Sequence, residues 1–126
     1  MYITVDEKDR RPIYQQIVDE IKGLIATGEL SQGTFLPPVR QVASDLGVNL
    51  NTVAFAYRQL QREGLVKVRH GAGALVISRV LKEPIEDHMR SQLTAALTHL
   101  VLSGLKPSEV RGLIDEELRR LYAEVI

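Results

Sequence analysis

The stretch from Leu36 to Ser78 constrains this chain more than any other. It reads LPPVRQVASDLGVNLNTVAFAYRQLQREGLVKVRHGAGALVIS. Proline suits the first helical position, where its missing N–H would have no partner, so Pro37-Pro38 predicts a helix start. Val39, Val42, Ala43 and Leu46 then recur at helical spacing. Gly47 follows, the residue type a helix uses to end in a left-handed conformation. Val48 is expected in the turn, plugging the core. Asn49 suits the N-cap of a second helix, because its side-chain oxygen can accept an orphan N–H. That helix should run on to Glu63 and stop at Gly64. Val53, Ala56, Tyr57 and Leu60 form its inner stripe. Asn51, Phe55, Arg58 and Arg62 form another, whose amide, aromatic and cationic groups suit a polar, anionic surface. The start of this helix adds free N–H groups and a positive dipole end that favour phosphate. Two β-rich runs, LVKVR (65–69) and ALVIS (74–78), flank His70-Gly71-Ala72-Gly73 and read as a hairpin. A tip of Arg69, His70 and glycines can bring backbone close to a phosphate or a groove floor. Two short helices across a tight turn, then a hairpin, is the order of a winged helix-turn-helix.

Upstream, the YITV run within residues 1–11 is expected to form a short strand, pairing with the hairpin as its edge. Residues 12–27 read as a helix opened by Pro12 and closed by Gly28. Ile13, Ile17, Ile21, Leu24 and Ile25 share one face of it. Burying each such side chain contributes about 1.5–3 kcal/mol, so this helix is scaffold that packs behind the second helix of the motif. Residues 29–36 read as a loop.

Residues 79–83 read as a linker, and Pro84 opens a second helical unit. Ile85, Met89, Leu93, Ala96, Leu97, Leu100 and Val101 follow helical spacing up to Gly104. Lys106-Pro107 is expected to make the turn, and Ser108 to cap a last helix with Glu109 in its first turn. Val110, Leu113, Ile114, Leu118 and Leu121 form the apolar stripe of that helix. Two helices cannot fully bury two such stripes against each other. A second copy would cover them in a four-helix arrangement; the alternative is a tail folded back on the winged domain. The homodimer is the expectation. The fold class is therefore mainly α with a small β-hairpin. It comprises an N-terminal winged helix-turn-helix domain (1–78) and a C-terminal two-helix dimerisation hairpin (79–126).

A length of 126 residues fits one domain, or one domain with a small appendage. There are no cysteines, which excludes disulfides and a thiolate zinc site and agrees with a reducing cytoplasm. The apolar runs are too short to span a bilayer and no signal peptide is recognised, so a cytoplasmic protein without membrane attachment is expected. The 16 basic and 16 acidic residues cancel, yet their distribution is uneven. Between Arg40 and His70 the cations Arg40, Arg58, Arg62, Lys67 and Arg69 stand against Asp45 and Glu63. Local charge on a docking face matters more than the total; scattered surface charge is the plainer alternative.

The pieces PIYQQIVDEI, LPPVR, LGVNLNTVAFAYRQLQREG and RHGAGALV, in this order, resemble the DNA-binding domain of the GntR family of bacterial transcription regulators. The short length and helical tail are similar to its YtrA subgroup. The resemblance covers Tyr2 to about Ser78 closely, and the tail only in length and helical character. It implies double-stranded DNA as partner. Arg40 matches an arginine that reaches into the major groove, where two parallel bonds to guanine O6 and N7 give about 1–3 kcal/mol of discrimination. The alternative is a surface arginine paired with Asp45 or a phosphate. Asn51 and Thr52 match positions that contact phosphates and base edges; Asn49 could join them, although capping is its first duty. His70 and Gly71 match wing-tip residues that enter the minor groove. Arg58 and Arg62 are expected on backbone phosphates, or else in surface salt bridges. Phe55 either contacts a thymine methyl or packs against the first helix or the wing. Leu50 and Ala54 stand where some relatives carry cations.

The expected function is sequence-specific DNA binding by a transcription regulator, a repressor acting as a homodimer on an inverted-repeat operator. The alternative is a winged-helix protein-interaction module that binds no DNA. No nucleophile–base pair or phosphate loop points to an enzyme, and no cofactor is implied. His88 and His99 share a helix face but lie about 16 Å apart along its axis, too far to hold one metal within a chain. A small-molecule effector of unknown identity would find its pocket where two tails meet.

Overall fold

The computed structural model describes residues 3–69, 73–83 and 87–122. The chain divides into two compact units, Met1–Lys82 and Glu83–Ile126. The first holds α1 (Ile13–Thr27), β1 (Phe35–Leu36), α2 (Val39–Leu46), α3 (Leu50–Arg62), β2 (Val66–Arg69) and β3 (Gly73–Val76).

Helix ends follow the local chemistry, with one shift. Pro12 and Pro38 stand just outside their helices as N-caps, with extended ψ of 152° and 146°. The expected start of α2 at Pro37-Pro38 therefore moves to Val39. A residue before proline is kept out of the helical region, which holds Pro37 extended. Pro38 enters only through its carbonyl, which accepts the N–H groups of Gln41 and Val42. Asn49 caps α3 as expected, its Oδ1 accepting from the Asn51 N–H at 2.7 Å. Gly47 ends α2 at φ +67°, inside the region that disfavours any Cβ.

α1 supplies Ile17, Val18, Ile21 and Ile25 to one core. α3 adds Val53, Ala56, Tyr57 and Leu60, and α2 adds Val42 and Ala43. The sheet closes the core with Leu36, Val66, Ala74 and Val76. Val48, in the turn between α2 and α3, packs against the same cluster.

The sheet has three antiparallel strands in the order β1-β3-β2. The hairpin is present, with Val66 opposite Val76 and Arg69 opposite Gly73. Its outer edge differs from expectation. Phe35 and Leu36, read as loop, pair with Leu75 and Ala74. The expected strand near the N-terminus does not form at residues 3–6, and Tyr2 lies outside the described residues. Gln16 explains why. It is only 2% exposed and its amide takes both backbone groups of Asp6. Oε1 accepts the Asp6 N–H at 2.7 Å, and Nε2 donates to the Asp6 carbonyl at 3.0 Å. Neither backbone group of Asp6 is left for a ladder.

Gly73 sits at φ +78°, buried at the start of β3. The sequence pattern puts it in the loop between the two runs; instead it is the first residue of β3 and lets that strand approach the preceding edge. A Cβ there would overlap the Leu36 carbonyl oxygen and come within 3.0 Å of the Pro37 oxygen.

In the second unit α4 (Asp87–Leu102) and α5 (Pro107–Leu121) contact each other. The expected opening at Pro84 and Ile85 lies outside the described residues. Gly104, at φ +88°, turns the chain after α4. The last helix then begins earlier than Ser108. Pro107 takes the first helical position, with Lys106 as N-cap. Proline loses nothing there, so the turn expected at Lys106-Pro107 is already helix. The capping role falls to Glu109, whose carboxylate accepts the Lys106 N–H at 3.0 Å. No described residue of α4 or α5 is buried; Leu93 is 58% and Val101 61% exposed. Among the described residues no helix is long and apolar enough to cross a membrane.

Two glycines should respond oppositely to alanine in denaturant unfolding. Gly73→Ala combines a left-handed φ with overpacking against backbone and should cost about 2–4 kcal/mol. Gly23→Ala, within α1 and with nothing inside 4 Å, should stabilise by about 0.5–1 kcal/mol.

Candidate nucleic-acid interface

The outward stripe of α3 is built by its inward one. Val53, Ala56, Tyr57 and Leu60 are buried against the core, which fixes the rotation of the helix about its axis. Asn51, Phe55, Arg58 and Arg62, at steps of four, three and four residues, are consequently all exposed. Thr52 is half-buried beside them. Asn49 is exposed, with its oxygen engaged as the cap.

The angle between α2 and α3 has its own fastener. Tyr57 is 1% exposed, and its hydroxyl donates to the Pro37 carbonyl at 2.7 Å. Burial pushes the phenol above its ordinary range, so it remains a donor. The bond holds the lead-in to α2, and Arg40, the second residue of that helix, is exposed.

Phe55 packs on the first helix. Its ring meets Tyr14 edge to face, with centroids 4.7 Å apart and planes at 77°. It remains 38% exposed, and the Arg62 guanidinium lies 5.9 Å above its centroid. Arg69 ends β2, exposed, with its backbone paired to Gly73. His70 and Gly71 lie outside the described residues.

Ion pairing sharpens the charge of this face. Glu63 is held by Lys22 at 2.7 Å, from the α1 side. Asp9 and Asp19 are both held by Arg11. Hydrogen bonds from Arg11 bring the Asp9 carboxyl down to about 2. Among the described residues, Arg40, Arg58, Arg62 and Arg69 take part in no ion pair. The pairing of Arg40 with Asp45, one alternative from the sequence, is likewise not formed. The result is exposed cations and an amide beside the capped start of a helix. Such a surface can donate to phosphates and to base edges. Among the described residues no group of His, Cys, Asp or Glu is placed to hold a metal ion.

Comparison with known proteins agrees with this geometry. The sequence profile described as bacterial regulatory proteins, gntR family, matches residues 13–76. The chain belongs to the gntR family. The HTH-type transcriptional repressor YtrA of Bacillus subtilis (strain 168) is 30% identical over 123 residues, which are 98% of this chain and 94% of that protein. A crystal structure described as a transcriptional antiterminator from Listeria monocytogenes EGD-e aligns with a TM-score of 0.80 at 31% identity. It covers 96% of this chain and 92% of its own. YtrA from Sulfolobus acidocaldarius, described as a GntR-family transcription factor, aligns with a TM-score of 0.61 at 41% identity, over 76% of this chain and 97% of its own. This gntR-family protein is a DNA-binding transcription regulator of the YtrA-like kind and not an enzyme. The alternative of an interaction module without DNA binding is thereby set aside.

Sequence reasoning gives no role to the Tyr57 hydroxyl and none to Tyr14. One signal was available: a tyrosine on an otherwise aliphatic buried stripe needs a partner for its hydroxyl. Tyr57→Phe should lower the unfolding free energy by about 0.5–1.5 kcal/mol and weaken DNA binding as well. Unchanged affinity in a destabilised variant would show that the bond does not set the reading geometry.

Proposed function

We propose that this gntR-family regulator is a repressor that binds an inverted-repeat operator as a homodimer. Each subunit lays α3 in a major groove, with Arg40, Asn51 and Thr52 at base edges and phosphates and Arg58 and Arg62 along the backbone. Asn49, at the cap, lies next to the phosphates. The wing carries Arg69, His70 and Gly71 toward the adjacent minor groove. Residues 1–78 read DNA and residues 79–126 join the subunits. Acting on the chromosome, the protein works in the cytoplasm.

The observation that carries this reading is the outward stripe of α3, exposed and uncompensated by acids. Support for pairing comes from the second unit, where α4 and α5 keep large apolar side chains in solvent. Thr94 and Thr98 turn their hydroxyls onto carbonyls of their own helix, at 3.0 and 2.8 Å. That removes polarity from a helix already rich in apolar groups. A second copy supplies the missing cover in a four-helix arrangement. Support for repression comes from YtrA of Bacillus subtilis, named a repressor and matched over nearly its whole length.

Selection of bound DNA from a random pool tests the operator. The recovered sites should be inverted repeats with half-site centres about one helical turn, roughly 34–36 Å, apart. A dimer that neutralises about eight phosphates should show log affinity falling with log salt at a slope near −7. Arg40→Ala should cost about 1–3 kcal/mol and relax the preference at one position in each half-site. A flat salt dependence would refute this binding mode.

The assembly has its own test. Sedimentation equilibrium should give twice the chain mass for the wild type and a single chain for Leu93→Glu with Leu97→Glu. The variant should keep the melting behaviour of the first unit while losing operator affinity.

A further inference from the structure

We propose that Phe55 is a positioning residue for Arg62. Its ring, packed edge to face with Tyr14, carries the Arg62 guanidinium as a preformed phosphate contact at the far end of α3. This rests on the DNA-binding reading above and deepens it.

Three observations meet here. Arg62 is the last residue of α3, exposed, with its guanidinium 5.9 Å over the Phe55 ring. The neighbouring acid that could absorb its charge, Glu63, is taken by Lys22 at 2.7 Å. The ring itself is held by Tyr14, with centroids 4.7 Å apart and planes at 77°.

The chemistry of the guanidinium completes the argument. It is planar, and its N–H groups lie in that plane. Contact with an aromatic ring engages no hydrogen-bond acceptor, so the donors remain available to the paired oxygens of a phosphate. A free arginine side chain must give up its rotamer freedom on reaching such a contact. One already resting on a fixed ring gives up less. The aromatic pair thus converts a mobile surface cation into a placed one, and it does so on the stripe that holds Asn51 and Arg58. Tyr14 extends the device to α1, so the scaffold helix steadies the platform. The rival account makes the contact purely structural, since a cation in the last turn also favours the C-terminal end of a helix dipole.

A double-mutant cycle on the full-length chain separates the two. Binding to a labelled mixed-sequence DNA duplex is measured across a salt series for wild type, Phe55→Leu, Arg62→Ala and the double variant. Arg62→Ala should reduce the salt slope by about 0.9 per subunit, one phosphate's share. Phe55→Leu should weaken binding about 2- to 5-fold, the range for an exposed cation–π contact. In the Arg62→Ala background the Phe55 change should add nothing. Phe55→Trp, which keeps an aromatic face, should restore binding.

If the Phe55 change weakens binding equally in both backgrounds, or Arg62→Ala leaves the slope unaltered, the inference is overturned while the DNA-binding reading stands. If wild-type binding does not respond to salt, both fall. A measurement independent of DNA guards against loss of fold. The Arg62 side-chain protons should show an upfield ring-current shift in the free wild-type protein, absent in Phe55→Leu; no such shift in the wild type would also overturn it.

Discussion

The burial of one face of α3 is the constraint from which the rest of this structure follows. Val53, Ala56, Tyr57 and Leu60 leave the helix one rotational setting against α1 and α2. Turning it by a single residue, about 100°, would drive Asn51 or Arg58 into the core and bring Val53 out. Each misplaced aliphatic group would forfeit about 1.5–3 kcal/mol, and each buried polar group without a partner would cost a similar amount. Presentation of the outward stripe is thus a product of core packing. The surface residues only decide what is presented.

A chain with no net charge can still offer a cationic face because Glu63, the acid beside its outward arginines, is engaged elsewhere. Lys22 reaches Glu63 from behind α3, and Arg11 gathers Asp9 and Asp19 at the start of α1. Partly exposed pairs of this kind contribute little to stability, about 0–1 kcal/mol. Their effect here is on the field. They tie acidic groups to cations placed away from the outward stripe and leave its arginines unopposed. Membership of the gntR family gives that field its partner, and the distribution of charge matters more than its sum.

Much of this was legible beforehand. Helical spacing located the inner stripe of α3, Gly47 and Gly64 marked its surroundings, and Asn49 announced the cap. What escaped was whatever depends on a long-range partner. β1 is two residues long and has no periodicity to detect; it exists because β3 offers an edge. The N-terminal run looks like a strand by composition, but residues 3–6 join no ladder, and the buried Gln16 amide on α1 holds the backbone of Asp6 just beyond it. Local rules also competed at the start of α5. Serine and proline both carry signals there, and the stricter geometry of the proline prevailed. For the interface, the residue types on α3 were readable, whereas the contacts of Phe55 with Tyr14 and Arg62 needed the packing of α1 to be known.

The bare backbone of Gly73 has a mechanical consequence. β3 rests directly on the carbonyls of Leu36 and Pro37, and the second of these is also gripped by the Tyr57 hydroxyl. A rigid line therefore runs from the base of the wing through the lead-in of α2 to the middle of α3. Levering the wing outward would strain the seat of Arg40, and tilting α2 would lift the wing. In the proposed binding mode the two ends are therefore ganged like a pair of calliper jaws, and what they gauge together is a separation.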